Sequence, residues 1–418
     1  MSVRNGAPSP GTAVVLAGGF DQIDLIDGLR RRGWRVALID YHDNPPAASH
    51  ANVHHRCSTL DIDAVRAIVR EERASLLTTA CTDQALLCVA QICDELGLPS
   101  PLDAAAARRL TNKRWMKEVL LNADIPTAAA AVLRTLPLSL PAGLRFPVVC
   151  KPVDSNSSKG VTLARNAAQL QQAFASALSA SRSAEVICEN YIEGSELSID
   201  AFVVAGQAHV LMVSESHKLA NAAAAFPIHR SVQPVAAACA QSSRIEEMVA
   251  RLASAFGIDN SPMIVQAILA PGGLHVLELS ARIAGGAKHR YIKAATGYDV
   301  MEAYIDTLFG KQAPTPPRCF PAPPASPLLA MQYLYAQPGV FAALEGCAEL
   351  KAEGVIVDYF PTKTAGMEIG SALNSSNRVA GILVGSKDQK GLQEALHQLF
   401  ARIRVLDPQG RDMLLRPQ

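Results

Sequence analysis

The chain has little of several things, and each shortage removes a class of function. Of its 418 residues, 5% are aromatic and 18% charged, while 49% are hydrophobic. That composition buries a core and does not describe a disordered chain. Lysine plus arginine (39) nearly balances aspartate plus glutamate (38), for a net charge of +1 with no basic tail or acidic block. The footprint of a nucleic-acid or anionic-membrane binder is therefore missing. Long apolar runs are missing too. The stretch from Ala123 to Leu133 is broken by Asp124, Pro126 and Thr127, and a membrane helix needs roughly 20 apolar residues. The nine cysteines form no Cys-x-x-Cys pair; they read as reduced residues in mostly apolar surroundings. Met1 to Gly11 lacks the basic start and apolar stretch of a secretory signal, so the cytoplasm is the expected location. No internal repeat is visible.

What is present is a sequence of short α/β patterns. Thr12 to Leu16 is strand-like and ends in Gly18-Gly19; a helical pattern (Ile23, Leu25, Ile26, Leu29) follows, then a second strand, Arg35 to Ile39, ending at Asp40. This order is a βαβ unit and predicts a parallel sheet. It recurs through a helix near Ile62 to Glu72, an apolar run at Leu76 to Thr79 and a helix from Asp83 to Leu96. Gly18-Gly19 with Asp40 lacks the spacing of a dinucleotide fingerprint and reads as turn chemistry. A helical stretch then passes through Arg109 and Lys113 to Leu121. The middle third is β-rich, with strands at 147–151, 161–163, 186–189, 197–204, 209–213, 263–269 and 275–279. The proline-rich segment Lys311 to Pro327 is an extended linker. Beyond it, strands are expected at Leu328 to Leu334, Gly354 to Tyr359 and Val379 to Val384, with a closing helix near Lys390 to Ile403.

Five features carry chemistry, and their order counts for more than any one of them. Lys113 lies on a helix, where a single lysine is ordinarily a solvated charge. Lys151 ends an apolar strand, where its charge needs an anion, either a nearby acid or a phosphate. The loop Asp154-Ser-Asn-Ser-Ser-Lys-Gly160 offers backbone N–H groups, the hydroxyls of Ser157 and Ser158, and Lys159; it can cradle phosphates or simply join two strands. Glu189-Asn-Tyr-Ile192, followed by Gly194 and Glu196, supplies an apolar slot with a backbone edge, as an adenine needs, with carboxylates for ribose hydroxyls. Finally, two strands around Pro271-Gly-Gly273 present Glu278, with Arg282 four residues on and Gly285-Gly286 beyond. That carboxylate and arginine can hold a magnesium ion and an anion together, or form a surface ion pair.

In this order the five features resemble the ATP-grasp superfamily, and the stretch 376–396, SNRVAGILVGSKDQKGLQEAL, resembles its carboxylate–amine ligase branch, which includes L-amino acid (dipeptide) ligases. The resemblance spans almost the whole chain. It implies α/β and α+β architecture: a Rossmann-like domain over 1–108, an ATP-grasp domain of two subdomains over 109–312, and a linker with a C-terminal subdomain over 313–418. It also implies roles. Lys113 and Lys151 meet ATP phosphates, and the loop through Ser157, Ser158, Lys159 and Gly160 closes over them. Glu189, Tyr191 and Ile192 form the adenine hinge, and Glu196 takes the ribose. Glu278 ligates Mg2+, with Mn2+ as an alternative, and Arg282 steadies the acyl-phosphate. Two positions depart from the pattern: Gln266 stands where a second metal-binding glutamate is usual, and Ser280 where an asparagine is common. Lys218, expected with Arg282 as a catalytic residue, falls with His229 and Arg230 where relatives build the substrate pocket, and Gly285 and Gly286 leave room beside Arg282.

The implied reaction joins a carboxylate, expected to be an L-amino acid, to an amine through an acyl-phosphate, releasing ADP and phosphate. Its partners are small molecules, and a homodimer is allowed for. A purine-pathway or carboxylase-like ligase, and a nucleotide-binding protein with little ligase activity, stay open as alternatives.

Overall fold

The computed structural model describes residues 10–416 except 157, 220–226, 321–326 and 372. The first hundred residues build a four-stranded parallel sheet. In spatial order its strands are Val53–Arg56, Arg35–Asp40, Thr12–Leu16 and Leu76–Thr78. The unbroken apolar runs are explained by cover on both faces: Val14, Val15, Val36 and Leu38 are fully buried, as parallel strands flanked by helices require. Each such side chain contributes roughly 1.5–3 kcal/mol of burial. Val53–Arg56 is not apparent from the sequence because it is an edge strand carrying His54, His55 and Arg56. Asp40 has a structural task, accepting the Gly18 N–H at 2.7 Å.

The helical stretch expected through Arg109 and Lys113 is two helices, Ala104–Thr111 and Lys113–Asn122. Asn112 divides them: its backbone is extended and its side chain caps the second helix by accepting the Arg114 N–H at 2.9 Å. Lys113 thereby becomes a first-turn residue facing the next sheet. That sheet is antiparallel, in the order Ala130–Leu133, Val186–Asn190, Val148–Pro152, Thr162–Ala164. The helix Ala167–Ala180 packs on it through Leu170, Ala173, Phe174 and Ala177.

The largest element is an eight-stranded antiparallel sheet. Its order is Gly273–Ser280, Ser261–Ala270, Ser195–Val204, Gln207–Lys218, Ile228–Gln233, Leu328–Tyr335, Arg378–Ser386, Asp358–Pro361. Three of these strands come from beyond the proline-rich segment, so one sheet runs continuously across residue 312. The strand expected from Gly354 begins only at Asp358, because Cys347–Ala352 is helical and its chain exits through a turn at Gly354. The middle third also holds helices among its strands, including Ser242–Phe256. Helix Val300–Leu308 ties the parts together. It packs against helix Ile23–Arg31, where Glu302 pairs with Arg31 and Arg32, and Tyr304 Oη donates to the Thr79 carbonyl at 2.9 Å. Among the described residues no helix is long and apolar enough to cross a membrane.

Candidate functional site

Two connected cavities open where the three sheets meet. The smaller, about 140 Å3, lies between the four-stranded and eight-stranded sheets and is lined by Lys113, Lys151, Glu189, Tyr191, Ile192, Glu196, Lys218, Gln266 and Glu278, among others. The larger, about 460 Å3, lies against the N-terminal domain and carries Ser158, Lys159, Arg282, Gly285 and Gly286. Lys113, Asn156, Ser158, Ile228, Gln266 and Glu278 line both, so the two spaces share a mostly polar wall that includes Lys113, Gln266 and Glu278.

Lys151 leaves its strand beside Glu189 of the neighbouring strand, and the two are paired. Glu189 is 4% exposed, and a second lysine, Lys117, reaches it at 2.8 Å. Burial would raise the Glu189 pKa, but the two lysines hold it down at about 2. Lys117 is itself buried, which lowers its pKa despite Glu189; Thr127 Oγ1 and the Ala128 carbonyl take its protons at 2.6 and 3.3 Å. The motif reading overlooked Lys117. Its signal was available, since it lies four residues after Lys113 on the same helical face. Glu196 pairs with Lys218 across the same compartment, so Lys218 belongs with the nucleotide-binding candidates by position.

The loop after Lys151 is tied at both ends. Lys113 Nζ donates to the Ser155 carbonyl at 2.8 Å, and Asp154 accepts the N–H groups of Arg182 and Ser183. At Gly160 φ is +69°, and a Cβ would lie 2.7 Å from that of Ala180; glycine lets the loop close against the helix. Ser157 lies outside the described residues. Gln266 and Glu278 are register partners on antiparallel strands, and Glu278 lies 3.6 Å from Lys113. Facing oxygen donors of this kind suit a magnesium ion; one is a neutral amide.

In the larger cavity Arg282 is paired with Asp83, the first residue of helix Asp83–Leu96. Burial works against both charges, but Arg282 still holds Asp83 below the ordinary aspartate range. Asp83 sits at the C-terminal end of a parallel sheet, where ligands of such folds bind; that is a readable signal the motif search missed. Lys288 is buried against Asp200 at 3.1 Å and Ser214 Oγ at 2.6 Å. Asp21 accepts the N–H groups of Gly286 and Ala287 at 2.9 and 2.7 Å, which fixes the glycine loop after Arg282. His229 and Arg230 line neither cavity; of their neighbours, Ser231 lines the larger one and Ile228 lines both. Arg230 Nε donates to Gln332 Oε1 at 2.8 Å, and burial, then Arg230, depresses the His229 pKa to about 4. Arg378 reaches the larger cavity from the far end of the chain with no local signal in sequence.

A nucleotide-sized cleft clasped between two antiparallel sheets, beside a Rossmann-like sheet, defines the ATP-grasp architecture. The chain carries matching domains: residues 144–289 match the ATP-grasp domain, and residues 332–406 match the L-amino acid ligase C-terminal domain 2. Dapdiamide A synthase of Enterobacter agglomerans is 25% identical over 255 residues, 59% of this chain and 57% of that protein. The formate-dependent phosphoribosylglycinamide formyltransferase of Burkholderia thailandensis is 28% identical over 193 residues, 45% of this chain and 48% of that one. The chain thus spans about half the length of the curated relatives it matches. Among solved structures, the L-amino acid ligase from Bacillus licheniformis superposes with a TM-score of 0.75 at 20% identity, covering 95% of this chain and 99% of that one. The biotin carboxylase domain dimer of Hydrogenobacter thermophilus 2-oxoglutarate carboxylase, in complex with MgADP and bicarbonate, reaches 0.71 at 14% identity, covering 95% and 91%. These likenesses establish the fold.

Proposed function

We propose that the chain is an ATP-dependent ligase that forms an amide bond between a carboxylate, an L-amino acid, and an amine, through an acyl-phosphate, with release of ADP and phosphate. The shared wall of Lys113, Gln266 and Glu278 carries this reading. ATP seated in the smaller compartment, with its adenine toward Tyr191 and Ile192, would send its triphosphate past Lys151 to that wall. A carboxylate entering from the larger cavity would meet the γ-phosphorus there. Gln266 and Glu278 would hold magnesium, which supplies charge neutralisation on the phosphates.

Lys113 and Lys151 offset phosphate charge, and Lys159, exposed on its loop, closes from the open side. Oxygen of the carboxylate bonds to phosphorus as the bond to ADP breaks; the amine then bonds to the acyl carbon as phosphate leaves. Arg282, oriented by Asp83, offsets charge on the reacting oxygens. The walls around the junction exclude water, which would otherwise hydrolyse the acyl-phosphate. Cytoplasmic location and a homodimer belong to the same proposal.

A purine-pathway ligase is the second reading, favoured by the phosphoribosylglycinamide formyltransferase relative. A nucleotide binder with little turnover is the third, favoured by Gln266. ADP and phosphate release from MgATP against single amino acids and pairs, with product masses, separates them. Amino-acid-dependent ADP release with a dipeptide mass is expected. ATP binding without amino-acid-dependent release would remove the ligase reading proposed here.

A further inference from the structure

The inner walls of the two cavities are laid out as cation–carboxylate pairs. Lys151 has Glu189, Lys218 has Glu196, Lys113 has Glu278, Arg282 has Asp83 and Lys288 has Asp200. Arg378 breaks the pattern. It is partly buried and lines the larger cavity, yet among the described residues no carboxylate pairs with it. Lys159, also without such a partner, is exposed on its loop and needs none.

Arg378 is nevertheless held firmly. Its Nε donates to Tyr335 Oη at 3.0 Å and its Nη2 to the Ile228 carbonyl at 3.1 Å. Its guanidinium carbon lies 3.8 Å from the centroid of the Tyr333 ring. These contacts fix the plane and leave Nη1 with no hydrogen bond among the described residues. Nη1 faces Gly286, where a Cβ would come within 3.1 Å of it and 2.9 Å of the Tyr333 ring. Glycine keeps that space open. Asp21, whose charge reaches Arg378, has both carboxylate oxygens engaged by the Gly286 and Ala287 N–H groups.

A planar guanidinium with fixed orientation, spare donors and no counter-ion is a receptor for an anion. We infer that Arg378, backed by Tyr333, binds the carboxylate of the amino acid that supplies the amine. This rests on the ligase reading above. Arg378 lines the larger cavity and not the smaller one; in the ligase reading the carboxylate that is phosphorylated goes to the Lys113–Glu278 wall, which leaves Arg378 to take a second anion. The group held at Arg378 stays unreacted, and the substrate class narrows: the amine donor is an amino acid or a peptide with a free carboxylate, not a simple amine. A phosphate ester on the donor presents similar charge, and the test separates the two.

The experiment titrates the full chain, with magnesium and a non-hydrolysable ATP analogue, by calorimetry. The probes are the common L-amino acids, alone and in pairs, their carboxamides, and inorganic phosphate. Wild type is run beside Arg378→Met and Arg378→Lys, and MgATP turnover is recorded on the same preparations. At least one amino acid binds wild type about 30-fold or more tighter than its carboxamide, as expected for a desolvated charge pair. Arg378→Met removes that difference and leaves the carboxamide unchanged, and Arg378→Lys restores part of it. Melting curves identify a misfolded Met variant, in which case the Lys variant decides. The assignment is overturned if amino acid and carboxamide weaken equally, if no amino acid depends on Arg378, or if phosphate is the anion that does. Arg378-dependent binding without ADP release would keep this site and remove the ligase reading.

Discussion

The two cavities differ in how they are made. The smaller draws its charged residues from one stretch of chain, Lys113 to Glu278, and nearly all are neutralised internally before any ligand arrives. The larger gathers Asp21 and Asp83 from the N-terminal domain, and Arg282, Lys288 and Arg378 from the eight-stranded sheet and the segment after Ser280, across almost the full length of the chain. In the proposed reading the first would be a preorganised holder for a highly charged group whose shape does not vary. The second is an assembled space, walled by residues far apart in the chain.

Perturbing the shared wall should erase the distinction and have the largest effect. Glu278→Gln leaves two neutral amides facing each other, and kcat should fall about 10²–10³-fold with little change in melting temperature; steady-state ADP release checks this. Next comes the larger cavity. Asp83→Asn strands Arg282 without its carboxylate, and denaturant unfolding should show a loss on the order of 2 kcal/mol, reduced by the pair's partial exposure. Arg282→Lys should cost activity more than stability if the arginine acts on the reacting oxygens.

The smaller compartment has a pH signature. Glu189 has a folded pKa of about 2, below its ordinary 4.5. Its contribution to stability is therefore present above about pH 4.5 and lost as the pH falls toward 2. Lys117→Met removes one of its two lysines, so the acid limb of stability should move to higher pH, as read by unfolding at successive pH values. An unchanged limb would mean Lys151 alone sets the carboxylate. Gln266→Glu should sharpen the comparison in the opposite direction, lowering the magnesium concentration for half-maximal binding by about threefold to tenfold, since ligand charge sets affinity. The smallest effect is expected at Gly160→Ala, a loss of about 1 kcal/mol from the positive φ and the crowded helix.

The same difference governs what could be read in advance. The βαβ order, the strand ending at Lys151, and the paired strands around Pro271 each announce themselves locally, through periodicity or glycine punctuation. Lys117 escaped because a lysine on a helix looks solvated until its strand partner, Glu189, is placed beside it. His229 and Arg230 were drawn toward the pocket by their position along the chain, whereas the strand turns Ile228 and Ser231 to the cavity instead. Asp83, Lys288 and Arg378 are brought to the site by sheet order, which no local pattern encodes. The division of the helical stretch at Asn112 was legible in principle, as a capping asparagine.

The eight-stranded sheet has a practical consequence. Its last three strands follow the proline-rich segment, and Leu328–Tyr335 pairs directly with Ile228–Gln233. A chain shortened at residue 312 would strip that neighbour away and leave Ile228–Gln233 as a raw, hydrogen-bonding margin open to other molecules. The shortened protein should therefore clump rather than stand alone, and the proline-rich segment marks a seam in the sequence at which the molecule cannot be cut.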